Sequence, residues 1–326
     1  MDNPGERVNS KRIPLVFASN NQGCLMLGIA LYSLLTNRSP DTYYVIYILD
    51  DGISCPERER ISSLAEEYSC EIHFISIVEL LQKHSLKSFK EWPSAMWGRL
   101  FLPSLLPFEK RILYLDIDIL VMGDLSELFE YEVGNELASV VYEEEKGDMI
   151  GRKKMLGISP THTYFNSGVM LMELERMRRE GIEDLFYSAF ARLKDVLICP
   201  DQDILNVVMQ NRVRGLHPKW NWPARHTRRQ MLLQGSSWGG RGRAVAVEAS
   251  LNPVILHFWG CPKPVQYNYN FHRRLYRKVW LSSPWKDVPY SGSNRLINKL
   301  HCIRNIPKDT IAHLRLFWLR RRMQVK

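Results

Sequence analysis

A membrane-length apolar run, paired cysteines, internal repeats and a basic body are all missing from this 326-residue sequence. Each absence narrows what the chain can be. Residues 13–37 carry no charge, but the polar stretch SNNQG at 19–23 interrupts them and leaves Cys24–Leu35 as the longest apolar piece. That piece is too short to cross ~30 Å of hydrocarbon, so it is predicted to be a buried helix after a strand and a polar turn. The six cysteines (Cys24, Cys55, Cys70, Cys199, Cys261, Cys302) include no C-x-x-C pair. Reduced thiols in a cytoplasmic protein are therefore expected. The first residues, MDNPGERVNSKR, have no apolar core of the signal-peptide kind, so none is expected. Low-complexity tracts are also lacking.

The net charge of +9 is unevenly placed. Residues 295–326 hold nine Lys/Arg against one acid, Asp309, and so account for +8 of it. A nucleic-acid binder would carry its basic patch on the folded body. A body close to neutral excludes that class.

What is present is ordinary for a soluble globular protein: 45% hydrophobic and 24% charged residues, enough to build a core. Short apolar runs at 12–18 (RIPLVFA), 43–49 (YYVIYIL) and 71–77 (EIHFISI) suit parallel strands covered on both faces. Between the last two, Ser54–Tyr68 has a helical pattern, with Ser54 as N-cap and Glu57 at the capping-box position. This alternation predicts a doubly wound α/β sheet. Further strands are expected from Arg111, before a turn, at 137–142, within 164–174 after a turn, and at 253–260. Helices are expected from Arg99, near Asp124 and from Asp201, with 83–98 irregular and 225–250 a mobile loop. The core is expected to end near Val265.

Three clusters carry chemistry. In Asp116-Ile117-Asp118, two carboxylates two residues apart on a strand project to one side. At the carboxyl end of a parallel strand, where ligands bind, a divalent cation such as Mg²⁺ or Mn²⁺ would relieve their repulsion. Spacing alone leaves open a plain pair of surface aspartates. In His257-Phe258-Trp259-Gly260-Cys261-Pro262-Lys263-Pro264 the imidazole is a metal-ligand candidate, Lys263 a phosphate partner, and Gly260 a point of close backbone approach. A hydrogen-bonded structural histidine is the alternative. Asp201-Gln202-Asp203 opens a helix, where acids also serve as caps. Asn166-Ser167-Gly168 reads as a turn with an outward polar side chain.

In order, VFASNNQ (16–22), LDDGIS (49–54), GRL (98–100), LYLDIDILV (113–121), YFNSGVML (164–171), PDQDILN (200–206) and HFWGCPKP (257–264) resemble glycosyltransferase family 8. The likeness is strongest to bacterial lipopolysaccharide galactosyl- and glucosyltransferases. The resemblance implies an α/β fold of the nucleotide-diphospho-sugar transferase (GT-A) type with a mainly parallel central sheet. It implies a domain over 13–265, after a tail at 1–12 and before a basic helical region at 266–326. The activity it implies is retaining transfer of glucose or galactose from a UDP-sugar to a carbohydrate acceptor, such as lipopolysaccharide, lipooligosaccharide or another cell-surface glycan. By the same resemblance Asp116, Asp118 and His257 bind Mn²⁺ (or Mg²⁺). Ala18, Ser19, Asn20 and Gln22 line the uridine site, and Arg99, Asn166, Asp201 and Gln202 face the donor sugar. The latter pair is the catalytic candidate. Ile117 joins the donor site, and Gly260 and Lys263 close over the diphosphate. Related enzymes often carry an acid and an aromatic where Asn20 and Gly23 stand here.

In the tail, Leu316-Phe317-Trp318-Leu319 precede Arg320-Arg321-Arg322, a pairing suited to an anionic membrane surface. A peripheral position on the cytoplasmic face of the inner membrane is expected, a solvated tail or a protein partner being the alternatives. Two other functions compete with transfer. A haloacid-type phosphatase would use D-x-D as nucleophile and acid, but Leu120 stands where such enzymes carry Thr or Val. A non-catalytic sugar-nucleotide or glycan-binding module on the same fold remains the second.

Overall fold

The computed structural model describes residues 11–90, 92–143, 148–224, 242–259, 263–265 and 272–289. The chain forms two compact units. The first takes in the chain up to Cys24, Arg38–Ile117 and Asp124–Leu216; the second takes in Leu25–Asn37, Asp118–Gly123 and the chain from His217.

The first unit is built on strands β1 (Lys11–Asn20), β2 (Thr42–Asp51), β3 (Glu71–Ser76) and β4 (Ile112–Leu115), followed by β6 (Ala138–Tyr142), β7 (Phe165–Met172) and β8 (Val213–Gly215). In the second unit lie β5 (Ile119–Val121), β9 (Trp222–Pro223) and β10 (Ile255–His257). The seven strands of the first unit run in the order β3-β2-β1-β4-β7-β6-β8. β1 pairs in parallel with β2 over its whole length and with β4 at Leu15–Leu113 and Val16–Tyr114. Residues 13–19 of β1 and all of β4 and β7 are buried, as expected of strands covered on both faces. The sheet is mainly parallel, with one departure from the alternation: β7 runs antiparallel to both β4 and β6, with an irregularity at Val140/Val141.

Strand order reverses direction between β1 and β4. In open α/β sheets such a reversal opens a crevice beyond the carboxyl ends of the strands. The chain leaves β1 at Asn20 and β4 at Leu115, so the polar turn and Asp116-Ile117-Asp118 both emerge there.

In the second unit β10 pairs antiparallel with β5 and parallel with β9. The apolar helix Cys24–Thr36 belongs to this unit from Leu25 onward. Its Ser33 hydroxyl accepts from Val121 N at 3.0 Å. Gly28 meets the buried Trp285, so that a Cβ at 28 would lie 2.3 Å from the indole.

Several local expectations need correction. Residues 83–98 are not wholly irregular, because a 3-10 segment runs Ser94–Phe101 and includes Arg99. The α-helix that follows is only Leu102–Leu105, with Pro103 in its first turn. Ser54 is the N-cap of Cys55–Glu67 but makes no side-chain cap bond, and Glu57 pairs with Arg60 at 2.9 Å instead. Gly242–Leu251 is helical, not loop. Residues 225–241 and the tail from 290 lie outside the described residues. Cys24, Cys55, Cys70 and Cys199 are free thiols.

Any side chain at residue 28 forces the indole of Trp285 to move. Gly28→Val is expected to lower stability by about 1–3 kcal/mol, read from urea denaturation. An unchanged midpoint would contradict this packing.

Candidate active site

Asp116 and Asp118 do not lie on a strand. They occupy a bend between β4 and β5, so their convergence comes from the turn of the chain and not from strand pleating. Asp116, Asp118 and His257 each offer one ligand atom, and these atoms lie within 4.8 Å of one another. Ligand atoms about 2.1 Å from a shared octahedral ion stand about 3 Å apart when adjacent and about 4.2 Å when opposite. His257 Nε2 and Asp118 Oδ1 are 3.0 Å apart. Two carboxylates and an imidazole within this spread fit a small divalent cation with little rearrangement.

Each aspartate is balanced by its own cation. Arg99 Nη2 donates to Asp116 Oδ1 at 2.6 Å, and the Tyr114 hydroxyl donates to the same oxygen at 3.1 Å. The guanidinium lies 4.3 Å from the Tyr114 ring centroid and also donates to the carbonyl and hydroxyl of Ser167, both at 3.0 Å. Its Nε lies 3.1 Å from Asp201 Oδ2. Arg99 therefore ties Asp116, Asp201 and Ser167 together. Asp118 is held by Lys263, whose ammonium also donates to the Phe258 carbonyl at 2.8 Å, and by His257. Burial opposes the ionised form of Asp118, but Lys263 and His257 outweigh it and hold the carboxyl far below the usual range. For Asp201 the balance differs: burial pushes its carboxyl up, with Arg99 opposing.

The triplet on the helix Pro200–Val208 splits into different jobs. Gln202 Oε1 accepts from Asn166 Nδ2 and Ser167 N, both at 3.1 Å. Its Nε2 donates to Glu143 Oε1 at 3.3 Å, and Asn166 Nδ2 reaches the same oxygen at 3.2 Å. Asp203 points away into full burial, where it pairs with Arg152 and accepts from Tyr164 OH at 2.7 Å and from Ile198 N and Cys199 N at 2.9 Å. It anchors the turn before the helix.

Ala18 and Ser19, at the end of β1, are buried, and Gln22, in the turn that follows, is exposed. The Asn20 side chain caps the turn Asn21–Gly23 by accepting from Gly23 N at 3.1 Å. A Cβ at Gly23 would lie 2.5 Å from Ser19 Oγ and 2.7 Å from Ile117 Cδ1. A larger residue at position 23 would require the Ser19 or Ile117 side chain to shift. Gly260 lies outside the described residues. Glu143, Tyr114 and Asn221 escaped the sequence reading, since none sits in a spaced motif. Only the polarity of Asn221 between Trp220 and Trp222 hinted at a buried partner.

The family model described as glycosyl transferase family 8 matches residues 14–268. The chain belongs to that family. Among curated members, the general stress protein A of Bacillus subtilis is 29% identical over 246 residues, spanning 74% of this chain and 83% of its own. A lipopolysaccharide 1,2-glucosyltransferase of Escherichia coli is 26% identical over 271 residues, 80% of this chain and 76% of the relative. The solved galactosyltransferase LgtC, in complex with donor and acceptor sugar analogs, superposes with a TM-score of 0.71 at 23% identity, covering 83% of this chain and 96% of that one. The fold is the GT-A glycosyltransferase fold, and this family member is a glycosyltransferase.

Removing the carboxylate of Asp203 leaves Arg152 and two backbone amides without their acceptor. Asp203→Ala is expected to cost about 3–5 kcal/mol in chemical denaturation. A loss under about 1 kcal/mol would refute its role as anchor.

Proposed function

We propose that this glycosyltransferase moves glucose or galactose from a UDP-sugar to a carbohydrate acceptor, with retention at the anomeric carbon. The observation that carries the reading is the cluster of Asp116, Asp118 and His257 beyond the carboxyl end of β4. Mn²⁺, with Mg²⁺ as substitute, is the cation whose chemistry suits that cluster; bound there, it supplies positive charge against the diphosphate as UDP departs. Lys263 adds a second positive charge on the phosphate side. Residues 18–22 hold the nucleoside. Arg99 keeps Asp116 and Asp201 oriented, and the amides of Asn166 and Gln202 meet the donor sugar. The transferase domain covers 13–265 in this reading.

The acceptor class follows from the likeness to a lipopolysaccharide 1,2-glucosyltransferase: lipopolysaccharide, lipooligosaccharide or another cell-surface glycan. An enzyme acting on such acceptors works at the cytoplasmic face of the inner membrane, and the basic region 266–326 is the part suited to attach it. On the helix Arg273–Ser282, Tyr276 and Trp280 are buried while Arg274, Arg277, Lys278 and Leu281 are exposed at 3- and 4-residue spacing. Exposed cations beside an apolar side chain suit anionic headgroups, each cation contributing about 1 kcal/mol near the surface. No helix among the described residues is long and apolar enough to cross a membrane.

Incubation with UDP-glucose or UDP-galactose should release UDP only when Mn²⁺ is present. Asp118→Ala and His257→Ala should each lower the rate at least about a hundredfold. Release that persists in excess chelator would overturn the metal reading. Tight nucleotide binding with no turnover on any acceptor pool would favour the non-catalytic module. For the membrane reading, the Arg277→Glu/Lys278→Glu variant should sediment with phosphatidylglycerol vesicles less than wild type, and added salt should release both. Equal sedimentation would argue against this helix face.

A further inference from the structure

The imidazole of His257 is fixed on three sides within the second unit. Asn221 Oδ1 lies 2.8 Å from Nδ1, and Asp118 Oδ1 lies 3.0 Å from Nε2. The Trp259 ring stands against the imidazole with centroids 4.8 Å apart. Asn221 has no solvent exposure and His257 has 1%. The backbone holds them together as well: Asn221 directly precedes β9, which pairs in parallel with β10 at Pro223–His257, and Ala224 N donates to the His257 carbonyl at 2.7 Å. Asn221 is itself fixed by closing the 3-10 turn Pro218–Trp220, its N–H donating to Pro218 O at 3.1 Å.

A carboxamide oxygen can only accept, so Nδ1 carries a proton where it meets Asn221 Oδ1. Asp118 Oδ1, an acceptor too, stands 3.0 Å from Nε2. Two acceptors at that distance repel unless a positive species lies between them. We propose that Asn221 is a positioning residue that sets the tautomer of His257, holding the proton on Nδ1 so that Nε2 is the atom offered to a divalent cation. The proposal rests on the reading of Asp116, Asp118 and His257 as a cation site. It adds that the site's imidazole is prepared by a carboxamide outside the ligand set. Outer partners that orient a ligating histidine typically carry a 10–100-fold effect on metal affinity.

The test uses the full chain and two substitutions. Asn221→Asp keeps an atom that can only accept, and Asn221→Leu removes it. Mn²⁺ affinity by calorimetry is expected to stay within a few-fold of wild type, or to tighten, in Asn221→Asp and to fall 10–100-fold in Asn221→Leu. If the amide nitrogen of Asn221 faced the ring instead, the wild-type proton would sit on Nε2 and removing the carboxamide would free that atom, so Mn²⁺ affinity undiminished in Asn221→Leu would overturn the proposal. Nitrogen-15 spectra of the metal-free chain give a readout independent of the metal. Of the nine histidines, the one whose signal disappears in His257→Gln should show its proton on Nδ1 in wild type and in Asn221→Asp. A ring protonated on Nε2 and not on Nδ1 in wild type would overturn the proposal even if Mn²⁺ binds. Absence of any Mn²⁺ binding alongside the Nδ1 tautomer would instead sink the cation reading. Where Asn221→Leu fails to fold, Asn221→Asp and the spectra still decide.

Discussion

Two carboxylates separated by one residue at the end of a buried strand repel each other and lose hydration together. Asp116 and Asp118 stand in that position, and the surrounding side chains answer the need for positive charge. Arg99 serves Asp116; Lys263 and His257 serve Asp118. Because Arg99 also takes Asp201 and both polar groups of Ser167, the balance of charge at one aspartate fixes the start of the helix Pro200–Val208 and the start of β7. Much of the site's geometry follows from that single guanidinium, which is buried and stacked over Tyr114.

The fold supplies the place for this arrangement. Parallel strands with apolar residues on both faces bury their own length and leave chemistry to their ends. The reversal of strand order between β1 and β4 brings the turn at 20–23 beside Ile117, where a side chain at position 23 would press on Ser19 and Ile117.

Much of this was legible from the chain alone. The continuous apolar runs of β1, β2 and β4 identified the sheet, and the ordered motifs identified the family that the matched residues 14–268 support. What stayed hidden depended on partners distant in sequence. The antiparallel insertion of β7 was not readable, because strand direction is decided by connections and not by composition. Nothing in Asp-Gln-Asp says that Asp203 turns inward to Arg152 and Tyr164 while Gln202 meets Asn166 and Glu143. That the carboxamide oxygen of Asn20 also closes the turn on Gly23 N was not readable from its place in the motif. Asp-Ile-Asp was read on a strand and lies in a bend; the carboxylates converge for a reason that pleat arithmetic does not contain.

In the proposed reaction Asp116, Asp118 and His257 would hold one divalent cation, which would supply positive charge to the nucleotide diphosphate. Anomalous scattering at the manganese edge, from crystals grown with Mn²⁺ and UDP, tests it most directly. Expected is a single peak about 2.1–2.3 Å from a carboxylate oxygen of each aspartate and from His257 Nε2, with phosphate oxygens completing the shell. A peak elsewhere, or nucleotide bound at full occupancy with no peak among these three residues, would contradict it.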